Sequence, residues 1–290
     1  MSDKEEKLPK TSIQWYPGHM AKAKREISES IKQVDVVIEM IDARIPKASR
    51  NPVLNEIIGN KPRIIVLNKA DLADDKKTKE WQKEFESNNQ IAVICDSNQG
   101  KGMKEVSDAA IELMQDKIEK ASEKGRTGVS VKVMIVGIPN VGKSTLINKI
   151  AKKQTAEVGN KPGVTKKNQW IRLNDRLQLL DTPGVLWPKF EDEKIARHLA
   201  YVGTIKDDIM DVETLAFHLV EELMQNYKTN LWERYKIEES FSDEETIEVM
   251  NEIGKKRGCL VRGGEVDYTK VANIILDDFR TGKIGRITLE

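Results

Sequence analysis

The stretch "GIPNVGKST" sets Gly137, Gly142, Lys143 and Ser144 at the spacing G-x-x-x-x-G-K-S. It lies between an apolar run, "VKVMIVG", and a helical pattern, "LINKIAKK". A strand–loop–helix of this kind turns its backbone N–H groups inward as a cradle for phosphate oxygens, and the helix N-terminus adds partial positive charge. Lys143 would bring a point charge to the β- and γ-phosphates, and the Ser144 hydroxyl would ligate Mg²⁺. A glycine-rich turn with a chance lysine is the bland reading; the flanking strand and helix favour phosphate binding. Far upstream, "VLNKADL" places Asn68, Lys69, Ala70 and Asp71 as N-K-x-D after a second apolar run. Guanine offers a ring N–H and an exocyclic amino group that one aspartate can accept together, and adenine has no such pair on that edge. By itself this pattern also fits a solvated turn. "CDSNQG" follows a third run, and its Asp96 and Ser97 could present backbone N–H groups to the guanine O6.

Weaker signals complete the set. "LLDTPG" gives Asp181 and Gly184 as D-x-x-G, a carboxylate that can hold Mg²⁺ through water and a glycine N–H that can meet a γ-phosphate. Thr165, in "NKPGVTKKNQW", is placed to ligate Mg²⁺ only while the γ-phosphate is present, though alone it reads as an ordinary loop residue. The nucleotide-binding set is therefore Asn68, Lys69, Ala70 and Asp71; Asp96 and Ser97; Asn140, Val141, Gly142, Lys143, Ser144 and Thr145; and Gly184. Ser144, Thr165 and Asp181 are the Mg²⁺ candidates.

The order is unusual, because the base-reading loops precede the phosphate loop. The set resembles the motifs of translation-factor-like GTPases in rotated order. With "WYPGHMAKA" near the start and "DFRTGKIGRITLE" at the other end, almost the whole chain resembles the ribosome biogenesis GTPase A (YlqF) family of circularly permuted GTPases. The resemblance implies GTP hydrolysis, a small helical RNA-binding module, and work in late assembly of the large ribosomal subunit on rRNA and ribosomal proteins. It also implies a K⁺ site at Asn140. Val185, directly after D-x-x-G, cannot orient a water. His19, in a Pro-Gly turn where a helix begins, reads by itself as a cap or an RNA-phosphate contact; the resemblance marks it as catalytic, beside Lys143 and Thr165. A GTP-binding module that signals without hydrolysis stays open as the alternative. An ATP-driven RNA remodeller is opposed by N-K-x-D.

The elements that must carry these residues alternate. Strands are expected over 35–44, 62–68, 90–97, 130–137 and 176–181, with helices between them, giving an α/β fold with a mostly parallel sheet covered on both faces. Ile27, Ile31 and Val34 mark a first helix, Gly59 closes a short second one, and "GKGMKEVSDAAIELMQDKIEKASEKG" reads as one long amphipathic helix. Beyond residue 205 the pattern is helical only. Ser242 and Glu245 suggest a capping box with Gly254 as the helix stop, and Asp267 and Gly282 bound the last helix. This divides the chain into a circularly permuted GTPase domain, 1–205, with the nucleotide site to itself, and a helical domain, 206–290.

The 290 residues carry a net charge of +1, so no global field announces a nucleic-acid partner. Charge is local instead: residues 207–253 hold 14 acids and 3 bases, and residues 254–286 hold 8 bases and 4 acids. "GKKRG" and "LVRGG", with Lys22, Lys24, Arg25, Lys161, Lys166 and Lys167, suggest a basic seam for structured RNA, against the bland reading of a solvated face. Trp170, Trp187 and Trp232 are expected in the core or at domain contacts. Two isolated cysteines point to a reducing compartment without zinc. No apolar run reaches the roughly 20 residues of a bilayer span, and "MSDKEEKLPK" lacks the apolar run of a secretory signal. A monomer in the cytoplasm is expected.

Overall fold

The computed structural model describes residues 25–87, 89–126, 129–151, 170–180, 192–205, 211–238 and 240–290. His19, Thr165, Asp181, Gly184 and Val185 lie outside the described residues, as do Lys22, Lys24, Lys161, Lys166, Lys167 and Trp187.

Six strands form one sheet: β1 (Val36–Asp42), β2 (Arg63–Asn68), β3 (Gln90–Ile94), β4 (Val131–Gly137), β5 (Trp170–Arg172) and β6 (Leu177–Leu180), in the order β3-β2-β1-β4-β6-β5. All pairings are parallel except β5 with β6. Central β1 is buried throughout, as its mostly apolar sequence requires of a strand covered on both sides, and its two acids, Glu39 and Asp42, are paired with Arg63 and Arg44. Its residues divide by the strand period of two. Val36, Ile38 and Met40 enter one core with Ile64, Val66, Val133 and Ile135. Val37 and Ile41 face the other way, into two smaller cores. Fully burying each such side chain contributes roughly 1.5–3 kcal/mol.

Helices cover both faces. On the smaller side lie α1 (residues 25–31), α2 (Pro52–Ile58) and α3 (Asp75–Phe85), contributing Ile27, Ile31, Leu54, Ile58 and Phe85. Asn51 and Asp74 cap α2 and α3 through their side chains, and Gly59 closes α2. The larger side carries α4 (Met103–Glu112) and α6 (Lys143–Ile150). The expected long helix breaks at Leu113–Met114, and α5 (Gln115–Glu123) beyond the break buries no side chain. β5 is also new: three residues on the sheet edge, with Trp170 exposed rather than in the core and the Lys132 ammonium 4.9 Å from its ring centroid.

The larger core continues without interruption into α7 (Glu193–Tyr201), α8 (Val212–Asn226), α9 (Lys228–Tyr235), α10 (Thr246–Lys256) and α11 (Tyr268–Arg280). Leu215, Leu219 and Leu223 form the buried stripe of α8. Glu245 accepts from the Ser242 N–H at 2.7 Å, the acidic half of the expected box. Gly254 is not a stop. It sits inside α10, where a Cβ would come within 2.6 Å of Val266, so glycine permits α10 to meet the loop before α11. Asp267 caps α11 by accepting from the Lys270 N–H. None of the described helices is long and apolar enough to cross a membrane.

Residues 282–290 leave α11 and return to the sheet. Gly282 has φ +75°, and a Cβ there would meet Leu72 at 2.7 Å. Ile287 N–H donates to Leu72 O and Leu289 N–H to Arg44 O, as a strand would. The buried imidazole of His198 ties this strap to α7 and α8: Nδ1 lies 2.9 Å from Glu290 and Nε2 2.9 Å from Glu222. Burial disfavours its charge, but the two carboxylates outweigh burial and raise its pKa above the ordinary 6.5; His198 in turn lowers that of Glu222 below 4.5, against the effect of burial. The histidine's stabilisation is complete below pH 6.5 and lost as pH rises through its folded pKa. That of Glu222 is present above 4.5 and lost on acidification. His198→Gln is therefore expected to lower the urea midpoint most between pH 4.5 and 6.5, with the deficit shrinking toward alkaline pH. A deficit independent of pH would refute the imidazolium.

Candidate nucleotide site

The phosphate loop is the turn from β4 to α6. Gly137 and Gly142 have φ +153° and +104°, and Asn140 sits at +61°. A Cβ at Gly137 would strike Met40 O and one at Gly142 would strike Asn68, so side chains at either would push the loop away from β1 and from the base-reading loop. Gly142 is the N-cap of α6, which puts Lys143, Ser144 and Thr145 in its first turn. Lys143 Nζ donates to Gly137 O at 2.9 Å and Ile138 O at 2.7 Å, across the loop. Burial lowers its pKa to about 8. A half-buried cation held, among the described residues, by carbonyl oxygens suits a site that receives an anion. The Asn140 amide nitrogen donates to Gly203 O at 2.7 Å, so its Oδ1 is the atom a cation would use.

The base-reading loop follows β2 and is joined to the phosphate loop by one residue. Asn68, buried, donates through Nδ2 to Val141 O at 2.6 Å, and its Oδ1 accepts from Ser97 N–H at 3.0 Å and Ser97 Oγ at 2.7 Å. Three loops distant in sequence thus meet on a single amide. Lys69 turns the chain at φ +60° and pairs through Nζ with Asp42 at 3.0 Å. Ala70 N–H donates to Cys95 O, and Asp96 Oδ1 accepts from Asn98 N–H and Gln99 N–H in a tight turn. Asp71 Oδ1 is buried without a hydrogen-bond partner among the described residues, as is Asp96 Oδ2. Burial and the neighbouring Asp96 raise the Asp71 pKa; Arg44 and Arg286 oppose them. An orphaned buried carboxylate oxygen is costly unless a donor completes it, and a purine with two adjacent donors fits.

Similarity to known proteins agrees with this geometry. The family model described as "RsgA GTPase" matches residues 21–191, and one described as "50S ribosome-binding GTPase" matches residues 132–255. A ribosome biogenesis GTPase A of Bacillus cereus is 48% identical over 96% of this chain and 93% of its own. The mitochondrial ribosome-associated GTPase 1 of Mus musculus is 33% identical over 95% of this chain and 89% of its own. A crystal structure of GNP-bound YlqF from T. maritima superposes with a TM-score of 0.62 at 28% identity, covering 93% of this chain and 97% of that one.

The chain belongs to the ribosome biogenesis GTPase A (YlqF) family. It is a P-loop enzyme that binds GTP and hydrolyses it to GDP and phosphate, with a GTPase role in ribosome assembly. Hydrolysis, rather than signalling by binding alone, is what membership of the YlqF family supports.

Three site residues escaped the sequence reading. Asp42 and Arg44 stand at the end of β1, and Arg286 is in the strap. Arg44 forks onto Asp42, with Nε 2.9 Å and Nη2 2.8 Å from its carboxylate oxygens. Burial would push the Asp42 carboxyl up, but Arg44 and Lys69 hold it well below the usual carboxylate range. The available signal was an acid in an otherwise apolar run, "VVIEMIDAR", which needs a cation when buried.

The basic part of 254–286 is thinner in space than in sequence. Arg280 donates to Ala200 O and Tyr201 O, Lys283 pairs with Asp277, Lys270 with Asp267, and Arg286 with Asp75. Lys255 and Arg262 are exposed, as are Leu260 and Val261. Trp232 packs on Phe241 as a structural aromatic.

Proposed function

We propose that this GTPase binds the large ribosomal subunit precursor, contacting rRNA and ribosomal proteins, and uses the GTP-to-GDP transition to time a late maturation step. The observation that carries the reading is the Asn68 bridge, which fixes base and phosphate loops into one guanine-nucleotide site although the chain visits them in rotated order. Phosphate oxygens meet the N–H groups of 138–145 and the Lys143 ammonium, and the base's donors meet Asp71. Ser144, with Thr165 and Asp181, would hold Mg²⁺, which would supply charge neutralisation at the phosphates. Asn140 Oδ1 would hold K⁺, which would supply a fixed positive charge at the site. The two-domain division at 205 assigns hydrolysis to the first part and RNA contact to the second. Lys255, in the last turn of α10, and Arg262, in the glycine-flanked loop before α11, meet RNA phosphates through shape rather than base sequence. The protein works in the cytoplasm, as a monomer.

His19 orients the attacking water in this scheme, because Val185 cannot; a neutral imidazole accepts a hydrogen bond from water. His19→Ala is expected to keep GTP affinity and subunit binding while losing most subunit-stimulated turnover, roughly 10²-fold. Multiple-turnover phosphate release with and without large subunits measures this. Wild-type stimulated turnover in the variant would remove the assignment, and no stimulation of the wild-type chain would remove the ribosomal trigger.

A further inference from the structure

Arg286 belongs to the helical part of the chain, yet its side chain ends on the base-reading loop. Nη2 donates to Ala70 O at 2.7 Å and Nε to Ala73 O at 2.9 Å, so the guanidinium spans both sides of Asp71. The same group forks onto the Asp75 carboxylate in the first turn of α3, with Nη2 2.6 Å from Oδ1. The backbone reinforces this bridge through Ile287 N–H on Leu72 O, and Asp74 N–H donates to Thr288 Oγ1 at 3.1 Å. From the other flank, Arg44 Nη1 lies 3.3 Å from Phe279 O and from Arg280 O, at the end of α11. Among the described residues, the backbone hydrogen bonds of 69–73 thus stay within that turn, reach Cys95, or are made by residues 286 and 287.

We propose that Arg286 is a positioning residue for guanine selection, holding the Ala70–Ala73 turn so that the Asp71 carboxylate meets both donors of the base. The proposal rests on the assignment of Asp71 to the guanine edge. A guanidinium fork suits the role: it fixes two carbonyls and a carboxylate in one plane, which a flexible ammonium cannot do. It also acts through charge. Asp71 is faced by the Asp96 carboxylate, which disfavours its ionised form, and by Arg44 and Arg286, which favour it. Only the ionised carboxylate accepts from both donors at once. The seat of the helical part on the sheet therefore sets how well the base is read, and a partner that shifts the strap changes nucleotide release.

The test compares GDP with inosine diphosphate, which lacks the exocyclic amino group, on the full chain by fluorescent-nucleotide competition. Arg286→Ala is expected to weaken GDP about tenfold and inosine diphosphate much less, so the preference for guanine contracts. The acid limb of GDP binding should move to higher pH. Arg286→Lys should recover part of the preference. Lys283→Ala, which pairs with Asp277 on α11, should leave it intact. If Arg286→Ala does not fold, Asp75→Asn is read instead, and it should contract the preference in the same direction. Asp71→Asn is measured alongside. A collapsed preference in Asp71→Asn with an unchanged one in folded Arg286→Ala, or in Asp75→Asn, overturns the positioning role alone. An unchanged preference in Asp71→Asn overturns the base assignment beneath it. Equal weakening of both nucleotides in Arg286→Ala reduces the residue to structural support and also overturns the proposal.

Discussion

Asp71→Asn should convert a guanine site into one that prefers xanthine. The wild-type carboxylate has a buried oxygen without a partner among the described residues, which guanine's two donors would complete. An asparagine in that place offers one acceptor and an amino group. The amino group would face guanine's own donor, a repulsive contact, whereas xanthine presents a carbonyl there. Sites built on buried hydrogen bonds reject a mismatched analogue by as much as roughly 10⁴–10⁵-fold, although a half-exposed residue such as Asp71 should give less, on the order of 10²–10³. Titration calorimetry with GTP and xanthosine triphosphate reads both arms. Unaltered GTP affinity in the variant would take Asp71 out of the site.

The second large effect belongs to Arg44. Its guanidinium and the Asp42 carboxylate are both almost wholly shielded from water. Removing the arginine side chain leaves a buried carboxylate with Lys69 as its remaining cation, beside the backbone N–H of residue 44. Breaking a buried pair in this way typically costs about 3–5 kcal/mol, a large share of the stability of an ordinary domain. Arg44→Leu should lower the urea midpoint accordingly. Asp42→Asn/Arg44→Leu should recover much of the loss, because it removes the uncompensated charge as well. The double variant should still bind GTP poorly, since Lys69 loses its carboxylate and α11 its hold on the end of β1. A single variant as stable as wild type would refute the role of the pair, and a double variant with wild-type GTP affinity would confine it to stability.

These residues also mark where sequence reasoning stopped. The phosphate loop and N-K-x-D were legible because each is a contiguous pattern with a strand before it. The sheet was legible because parallel strands buried on both sides must be apolar runs. Asn68 was placed in the site, but not as its bridge, since Val141 and Ser97 lie 73 and 29 positions away. Arg286 read as one more base in a positive stretch because its partners are two carbonyls, which no residue type advertises, and a carboxylate 211 positions away. Gly254 looked like a stop since glycine ends helices more often than it relieves contact between them. The Leu113–Met114 break carries neither glycine nor proline, and β5 is too short and exposed to show a period. His19, Thr165, Asp181 and Gly184 remain assigned on pattern and family likeness.

The return of residues 286–290 to the sheet has a consequence for biosynthesis. Ala70 is translated 216 positions before Arg286. At ordinary elongation rates of about 5–20 residues per second, the base-reading turn waits roughly 10–40 s for its clamp. The nascent chain can form β1, β2 and β3 in that interval, but its guanine pocket stays unfinished until the last helix has docked. A prematurely terminated product therefore lacks the clamp that shapes its base pocket. Such a fragment would compete poorly for GTP with the finished enzyme, and ribosome assembly would be spared a factor that loads nucleotide without the part meant to answer it.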